Sequence, residues 1–331
     1  MKTKVLVTGG AGFMGSHIVD ELINTGYNVV VLDDLSGGFK ENVNKDAEFV
    51  EGSILDRELI ESLFTTHKFK YVFHLAAYAA EGLSHFIRHF NYENNLIGST
   101  NLINASVNHG VKRFIFTSSI AVYGQNQVPM TESLAPEPED PYGVAKFAVE
   151  LDLKAAERLF GLEYVIFRPH NVYGEKQNIG DKYRNVIGIF MNKIMKGEPL
   201  PIFGDGEQQR AFSHISDVAP IIASSITDEK ALNQIFNIGA DVSYTVNVLA
   251  KTVSDAMKTE LKTIHYPPRM EVKVAYSDHS KARELLGYEA SVTLVEGVGR
   301  MAEWAKSIGV KESKKFNGIE IEKNLPSAWF E

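Results

Sequence analysis

Short β-branched runs alternate with longer stretches of helical periodicity through the first half of the chain, the pattern of successive βαβ units and a parallel sheet. The runs are KVLVT (4–8), NVVVLD (28–33), AEFVEG (47–52), YVFHLAA (71–77), RFIFTSS (113–119) and EYVIFR (163–168). Between them, HIVDELINTG and NNLIGSTNLINASVNHG each end on a glycine placed as a helix C-cap, Gly26 and Gly110. YGVAKFAVELDLKAAERLFG repeats the helical spacing and closes at Gly161. Beyond about residue 170 the texture changes to longer loops rich in Gly, Pro and Asn, such as KGEPLPIFGDGEQQRAF, and loops of that kind beside a regular sheet build ligand sites. The pattern predicts an α/β fold, a doubly wound parallel sheet over residues 1–170, with a smaller loop-rich region over 171–331 from which some segments return to the sheet. The charged, then aromatic end predicts a solvated turn followed by packing of Trp329 and Phe330.

Composition narrows the function classes. The 331 residues suffice for a sizeable core, and 44% hydrophobic with 23% charged residues is ordinary for a globular protein. A net charge of -8 argues against nucleic acid or an anionic membrane as the main partner, since phosphate backbones are bound by clustered Lys and Arg. With no cysteine, disulfides, thiolate metal sites and a Cys nucleophile are excluded. The N-terminus meets glycines too early for a signal-peptide core, and no apolar run approaches the roughly 20 residues of a membrane helix, so a cytoplasmic protein is expected. His85 and His89 have i, i+4 spacing, but no third ligand at motif spacing joins them and no metal is expected. His17, just inside the first helix, reads as packing.

VLVTGGAGFMGSHIVDEL sets Gly9, Gly10, Gly12 and Gly15 between a strand and a helix. Such a loop lets backbone N–H groups at a helix N-terminus approach a pyrophosphate with no Cβ in the way. Asp33 ends the second strand about 20 residues after the loop. A carboxylate there accepts hydrogen bonds from ribose hydroxyls and repels a 2′-phosphate, so the expected cofactor is NAD rather than NADP. Asp34 either joins it or faces solvent.

DPYGVAK places Tyr142 and Lys146 four residues apart on one face of a helix start. A free phenol, with pKa near 10, is a poor base at neutral pH, and bringing it there takes roughly 4 kcal/mol of differential stabilisation. A lysine cation beside it and a positive nicotinamide ring both act in that direction. Ser119 stands at the end of the preceding strand.

With TGGAGFMGSH, VLDDLSGG, VFHLAA, NNLIGSTNL, TSSIAVYG, PYGVAK, RPHNVYG, IFGDGEQQRAF and DHSKARELLGY, nearly the whole chain resembles the extended short-chain dehydrogenase/reductase superfamily. Within it the resemblance is to the NAD-dependent nucleotide-sugar epimerases and dehydratases, most of all the UDP-sugar 4-epimerases. It implies a Rossmann-type NAD-binding domain over 1–170 that carries Ser119, Tyr142 and Lys146 as catalytic residues, and a mainly substrate-binding domain over 171–331. Cofactor contacts are implied at Gly9, Gly12, Phe13, Met14, Gly15, Asp33, Asp34, Ser36, Gly37, Ser53, Ile54, Leu75, Ala76, Ala77, Asn95, Thr117, Tyr142, Lys146 and Pro169. Ser53-Ile54 stands where the family usually has Asp-Ile against the adenine. Substrate contacts are implied at Ser119, at Asn171 and Asn185 on the diphosphate, and at Arg210 and Arg269 as its clamp, a task suited to the planar guanidinium. Ala211 replaces the acidic residue usual after that arginine. His170 replaces a usual Tyr or Phe and either hydrogen-bonds the sugar or fills the same volume. A homodimer through the helices at 93–109 and 142–160 is expected by resemblance.

The reaction type turns on Ile120 and Ala121. Oxidation of a sugar carbon needs NAD and the Ser/Tyr/Lys group alone. Elimination of water needs further acid and base groups, which the related dehydratases carry as Asp-Glu in this slot and decarboxylases as Glu. Ile-Ala neither donates nor accepts a proton. The expectation is therefore a UDP-hexose 4-epimerase, with UDP-glucose and UDP-galactose as the default pair. UDP-N-acetylglucosamine fits a small Ala275, and UDP-glucuronate fits Arg184 or His170 as carboxylate partner. A nucleotide-sugar reductase or dehydrogenase and a non-catalytic NAD-binding protein are the competing classes.

Overall fold

The computed structural model describes residues 2–269, 271–313 and 315–329. Six parallel strands follow the predicted runs: β1 (Lys4–Thr8), β2 (Asn28–Asp33), β3 (Glu48–Glu51), β4 (Tyr71–His74), β5 (Arg113–Thr117) and β6 (Glu163–Pro169). A seventh, Gln234–Ile238, adds beside β6 with Gln234 opposite Val165 and Ile238 opposite Pro169. The order across the sheet is Gln234–Ile238, β6, β5, β4, β1, β2, β3. Strand order thus reverses between β1 and β4, and the crevice outside the C-terminal ends at that point is where such sheets bind nucleotides.

Alternation along the strands divides the core. Val5 and Val7 face the helices Phe13–Asn24 and Ile215–Ser224, through Ile18, Leu22, Val218 and Ile222. Leu6 faces the other layer, where Ile60, Phe64, Leu102, Val149 and Leu153 come from Arg57–His67, Gly98–Asn108 and Pro141–Phe160. A separate cluster around Phe190, Leu249, Val253, Val298 and Met301 forms the core of the loop-rich part.

Two boundaries differ from the sequence pattern. Strand β4 ends at His74, because Leu75–Ala77 leave the sheet to pass over the glycine loop, where a Cβ on Gly9 would lie 2.7 Å from the Ala76 nitrogen. The helix expected at 93–109 opens with a π turn, Glu93–Ile97, before the regular helix Gly98–Asn108. The expected return of later segments to the sheet is made by Ile215–Ser224, which packs on the first helix, and by Gln234–Ile238.

After the last long helix, Leu294–Ile308, the chain runs back across the cleft. The Phe316 amide donates to the Tyr183 hydroxyl (3.1 Å), and the Glu320 amide to the Phe86 carbonyl (2.8 Å). Trp329 is buried edge-on against Phe86 and Tyr183. Phe330, expected to pack with it, lies outside the described residues. Among the described residues no helix is long and apolar enough to cross a membrane.

Helix Pro141–Phe160 starts on an Asp140 cap that accepts from the Gly143 amide (2.8 Å) and ends on left-handed Gly161 (φ 72°). It is fixed to the sheet by an ion pair without water access: Arg168 Nε donates to Glu150 at 2.9 Å, and Ser118 Oγ donates to the same carboxylate at 2.5 Å. Glu150→Ala is expected to lower the unfolding free energy by about 3–5 kcal/mol by stranding the Arg168 charge. Urea denaturation reads the loss, and replacing Glu150 and Arg168 together by Met recovers part of it.

Candidate active site

One large cleft runs from the glycine loop across the C-terminal ends of the strands into the loop-rich part. At its cofactor end, Gly9, Gly12, Phe13, Met14 and Gly15 line the wall. A Cβ on Gly15 would lie 2.1 Å from the Gly9 carbonyl oxygen, so the loop closes on itself only with glycine there. Asp33, at the end of β2, accepts from the amides of Ala11 (3.0 Å) and Leu35 (2.9 Å). Each carboxylate oxygen keeps a lone pair for a ribose hydroxyl. Burial raises the Asp33 pKa, and those amides hold it down. Asp34, Ser36, Gly37, Ile54, Leu75, Ala76, Ala77, Thr117 and Pro169 line the same end. A side-chain-free loop, a helix N-terminus and a strand-end carboxylate fit a dinucleotide.

Strand β5 delivers Ser119, which caps the 3-10 turn Ile120–Tyr123 by accepting from the Ala121 amide (3.1 Å). Tyr142 and Lys146 are buried in the cleft wall. Lys146 Nζ donates to the Thr117 carbonyl (2.8 Å) and lies 5.7 Å from the centre of the Tyr142 ring. Burial lowers the Lys146 pKa to about 7, opposed by the Glu150 carboxylate below it. Burial also raises the Tyr142 phenol, reinforced by Glu81 and opposed by its hydrogen bond with Ser119.

At the far end Asn171 and Asn185 line the cleft, both in left-handed backbone (φ 42° and 66°) that Asn tolerates better than most residues. Arg210 and Arg269 converge there; Glu271 pairs with them at 3.3 and 3.7 Å, and the Arg269 guanidinium lies 4.0 Å from the centre of the Phe203 ring.

Three expected contacts fall outside the cleft lining. His170 is turned into the core, its Nδ1 3.1 Å from the Ala211 carbonyl and its Nε2 2.9 Å from His279 Nε2; burial and His279 lower its pKa to about 3. Its ring is packed away from the cleft lining. Asn95 is buried behind the cleft wall, donating to the Tyr78 carbonyl (3.1 Å) and accepting from its amide (2.8 Å). It shapes the loop over the cofactor end. Ser53 accepts from the Leu55 amide (3.2 Å), leaving Gly52 and Ile54 on the lining. Arg184, offered by the sequence as partner of a sugar carboxylate, lines the cleft, where it stacks on Tyr78 (4.6 Å) and pairs with Asp181. Among the described residues no group of three or more His, Asp or Glu is placed to hold a metal ion.

Glu81 is the main residue that sequence reasoning missed. It opens the short helix Glu81–Ser84, and the Ser84 hydroxyl donates to its carbonyl (2.6 Å) while accepting from the Tyr142 amide (3.3 Å). It is exposed to the open cleft, where loss of solvent around it and, after that, the Asp140 carboxylate push its pKa above the usual carboxylate range. No spacing or neighbouring motif marks it in the sequence.

The family described as Epimerase, the NAD dependent epimerase/dehydratase family, matches residues 5–239. The chain belongs to this family. The UDP-glucose 4-epimerase of Mycolicibacterium smegmatis is 33% identical, covering 92% of this chain and 99% of its own length. The crystal structure of the UDP-glucose 4-epimerase of Thermotoga maritima with UDP-glucose is 39% identical, with TM-score 0.88 over 92% of this chain and 99% of that one. The UDP-glucuronic acid 4-epimerase of Bacillus cereus, solved with UDP-glucuronic acid and NAD, is 27% identical with TM-score 0.85 over 92% and 100%.

Loss of the ribose acid tests the cofactor end. Asp33→Ala is expected to weaken NAD binding roughly ten- to hundredfold, the value of a hydrogen bond to a charged group. Calorimetric titration of the apoprotein with NAD reads it.

Proposed function

We propose that the protein is an NAD-dependent UDP-hexose 4-epimerase, with UDP-glucose and UDP-galactose as its substrate pair. The observation that carries this reading is that Ser119, Tyr142 and Lys146 line one cleft together with the glycine loop, Asp33, Arg210 and Arg269. The two UDP-glucose 4-epimerases, each matched over nearly its whole length, support it.

Gly9, Gly12 and Gly15 would seat the pyrophosphate of NAD and Asp33 its ribose. Bound NAD supplies a hydride acceptor and donor beside the sugar carbon. Arg210, Arg269, Asn171 and Asn185 would hold the UDP diphosphate, so that the sugar reaches Tyr142. Tyr142 takes the proton of the C4 hydroxyl, Ser119 supports that oxygen by hydrogen bonding, and the Lys146 ammonium favours the phenolate that accepts the proton. The 4-keto sugar, still anchored by its diphosphate, turns its opposite face to the ring, and Tyr142 gives the proton back. Ile120 and Ala121 line the cleft beside Ser119 and move no proton, which supports return rather than elimination. Ala275 also lines the cleft, and its small side chain supports UDP-N-acetylglucosamine as a second candidate substrate.

The expected homodimer is supported by Ile97, Val144 and Leu151, large apolar residues exposed on its two helices. Light scattering should read twice the chain mass.

Incubation with UDP-galactose and no added cofactor is expected to yield UDP-glucose. A 4-keto-6-deoxy sugar, or stoichiometric reduction of added NAD, would overturn the reading. Tyr142→Phe should lower kcat by about 10²–10⁴-fold. The Tyr142–Lys146 pair must shed one proton before it can accept one from the sugar. With Lys146 drawn down to about 7, kcat/KM should rise with pH through about 7 and level off. Lys146→Met removes the cation that favours the phenolate, so the same limb should move to higher pH.

A further inference from the structure

The run after Gly309 takes no part in the proton transfers above, yet Lys315, Lys323, Asn324, Ser327 and Trp329 line the same cleft as Tyr142 and Arg269. The two UDP-glucose 4-epimerases are each matched over 99% of their own length but cover 92% of this chain, leaving about 8% of it without a counterpart in either. A run of about that size follows the last long helix.

The run is fixed to both walls of the cleft. On leaving the helix it meets Asn192 of helix Val186–Met195, whose side chain donates to the Lys311 carbonyl (2.9 Å) and accepts from the Lys311 amide (3.0 Å). The Phe316 ring then packs against Tyr78 and Phe90, with centres 5.3 and 5.0 Å apart, while its amide donates to the Tyr183 hydroxyl. Glu320 accepts from the amides of His89 (2.8 Å) and Phe90 (2.9 Å) at the start of the short helix Arg88–Tyr92. Trp329 closes the run edge-on to Phe86 and Tyr183, and its ring centre lies 6.0 Å from the Arg269 guanidinium. Tyr78, Phe86 and Phe90 belong to the segment that follows β4 on the cofactor side, whereas Tyr183 and Arg269 belong to the substrate side. These aromatic residues form a small cluster of their own, apart from the cores of either side, so the contact can part without unfolding either core.

We propose that the run after Gly309 is a clasp belonging to the substrate site: through Phe316 and Trp329 it ties the cofactor wall to the substrate wall, steadies Arg269 for the diphosphate, and retains the sugar nucleotide in its keto form. The proposal rests on the 4-epimerase reading and deepens it. Between the two hydride transfers the sugar has given its C4 hydride to NAD and its hydroxyl proton to the protein. Escape of the keto sugar at that stage leaves NADH on the protein and halts the cycle, and enclosure of the cleft opposes that escape. Trp329 is a positioning residue here, acting through Arg269.

The test compares the full-length holoenzyme with a chain ending at Gly309, with Trp329→Ala and with Trp329→Phe, after thermal melting and NAD content are checked for each. Calorimetry gives the affinity for UDP, epimer formation from UDP-galactose gives kcat and KM, and the absorbance of NADH left on the protein counts keto sugar lost. The shortened chain and Trp329→Ala should bind UDP about five- to thirtyfold more weakly, the value of a partly desolvated cation–π contact, and should raise KM more than they lower kcat. Both should gather NADH during turnover faster than the wild type does, and Trp329→Phe should recover most of each loss. If the shortened chain does not fold, the two Trp329 variants decide alone. UDP affinity and NADH build-up unmoved in Trp329→Ala, or a fall in kcat with KM unmoved, overturns the proposal and leaves the epimerase reading standing. No epimer from the wild type overturns that reading and the retention of a keto sugar with it, and the UDP affinities then still decide whether the run belongs to the nucleotide site.

Discussion

A single buried charge pair aligns the chemistry with the sheet. Tyr142, Lys146 and Glu150 recur every fourth residue and so form one stripe along helix Pro141–Phe160. The last of the three is locked to Arg168 on β6 and to Ser118 at the end of β5. Because Ser118 adjoins Ser119, the lock that sets the height of the helix also sets the distance between the Ser119 hydroxyl and the Tyr142 phenol. Ionic groups in the interior are seldom a cheap source of stability. Here the pair fixes a register, and it also places a negative charge below Lys146 that opposes loss of the lysine's proton.

The cleft joins two kinds of architecture with different demands. Its cofactor end is built by backbone: the glycine loop, a helix N-terminus and the loop braced by Asn95. Its substrate end is built by long side chains from segments far apart in sequence, Arg210 and Arg269 among them, held ready by Glu271. Ser119, Tyr142 and Lys146 sit at the seam, where the ring of a nicotinamide and the ring of a sugar would face one another.

The parts of this structure set by local pattern were legible in the chain. The six first strands, the glycine loop, Asp33 and the Tyr142/Lys146 stripe follow from period, turn chemistry and i, i+4 spacing, which neighbouring residues decide among themselves. What was not legible depends on distant partners. His170, for which the sequence leaves a sugar contact and a packing role both open, is engaged by His279 and the Ala211 carbonyl. Ser53 spends its hydroxyl on its own turn, and Asn95 spends its amide on Tyr78. The strand Gln234–Ile238 is short and bordered by polar residues, and only its pairing with β6 makes it part of the sheet. Glu81 carries no signature at all: an acid in an alanine-rich loop comes to line the cleft only through the fold.

The return of the chain over the cleft has a consequence for how the protein is made. Ser119, Tyr142 and Lys146 all lie before residue 147, yet the wall formed by Phe86 and Tyr183 is packed by Trp329. A ribosome therefore delivers the chemistry long before it delivers the residues that enclose it. During synthesis the nascent chain holds Ser119, Tyr142 and Lys146 in an unfinished trough, whose wall is packed only once Trp329 has left the exit tunnel.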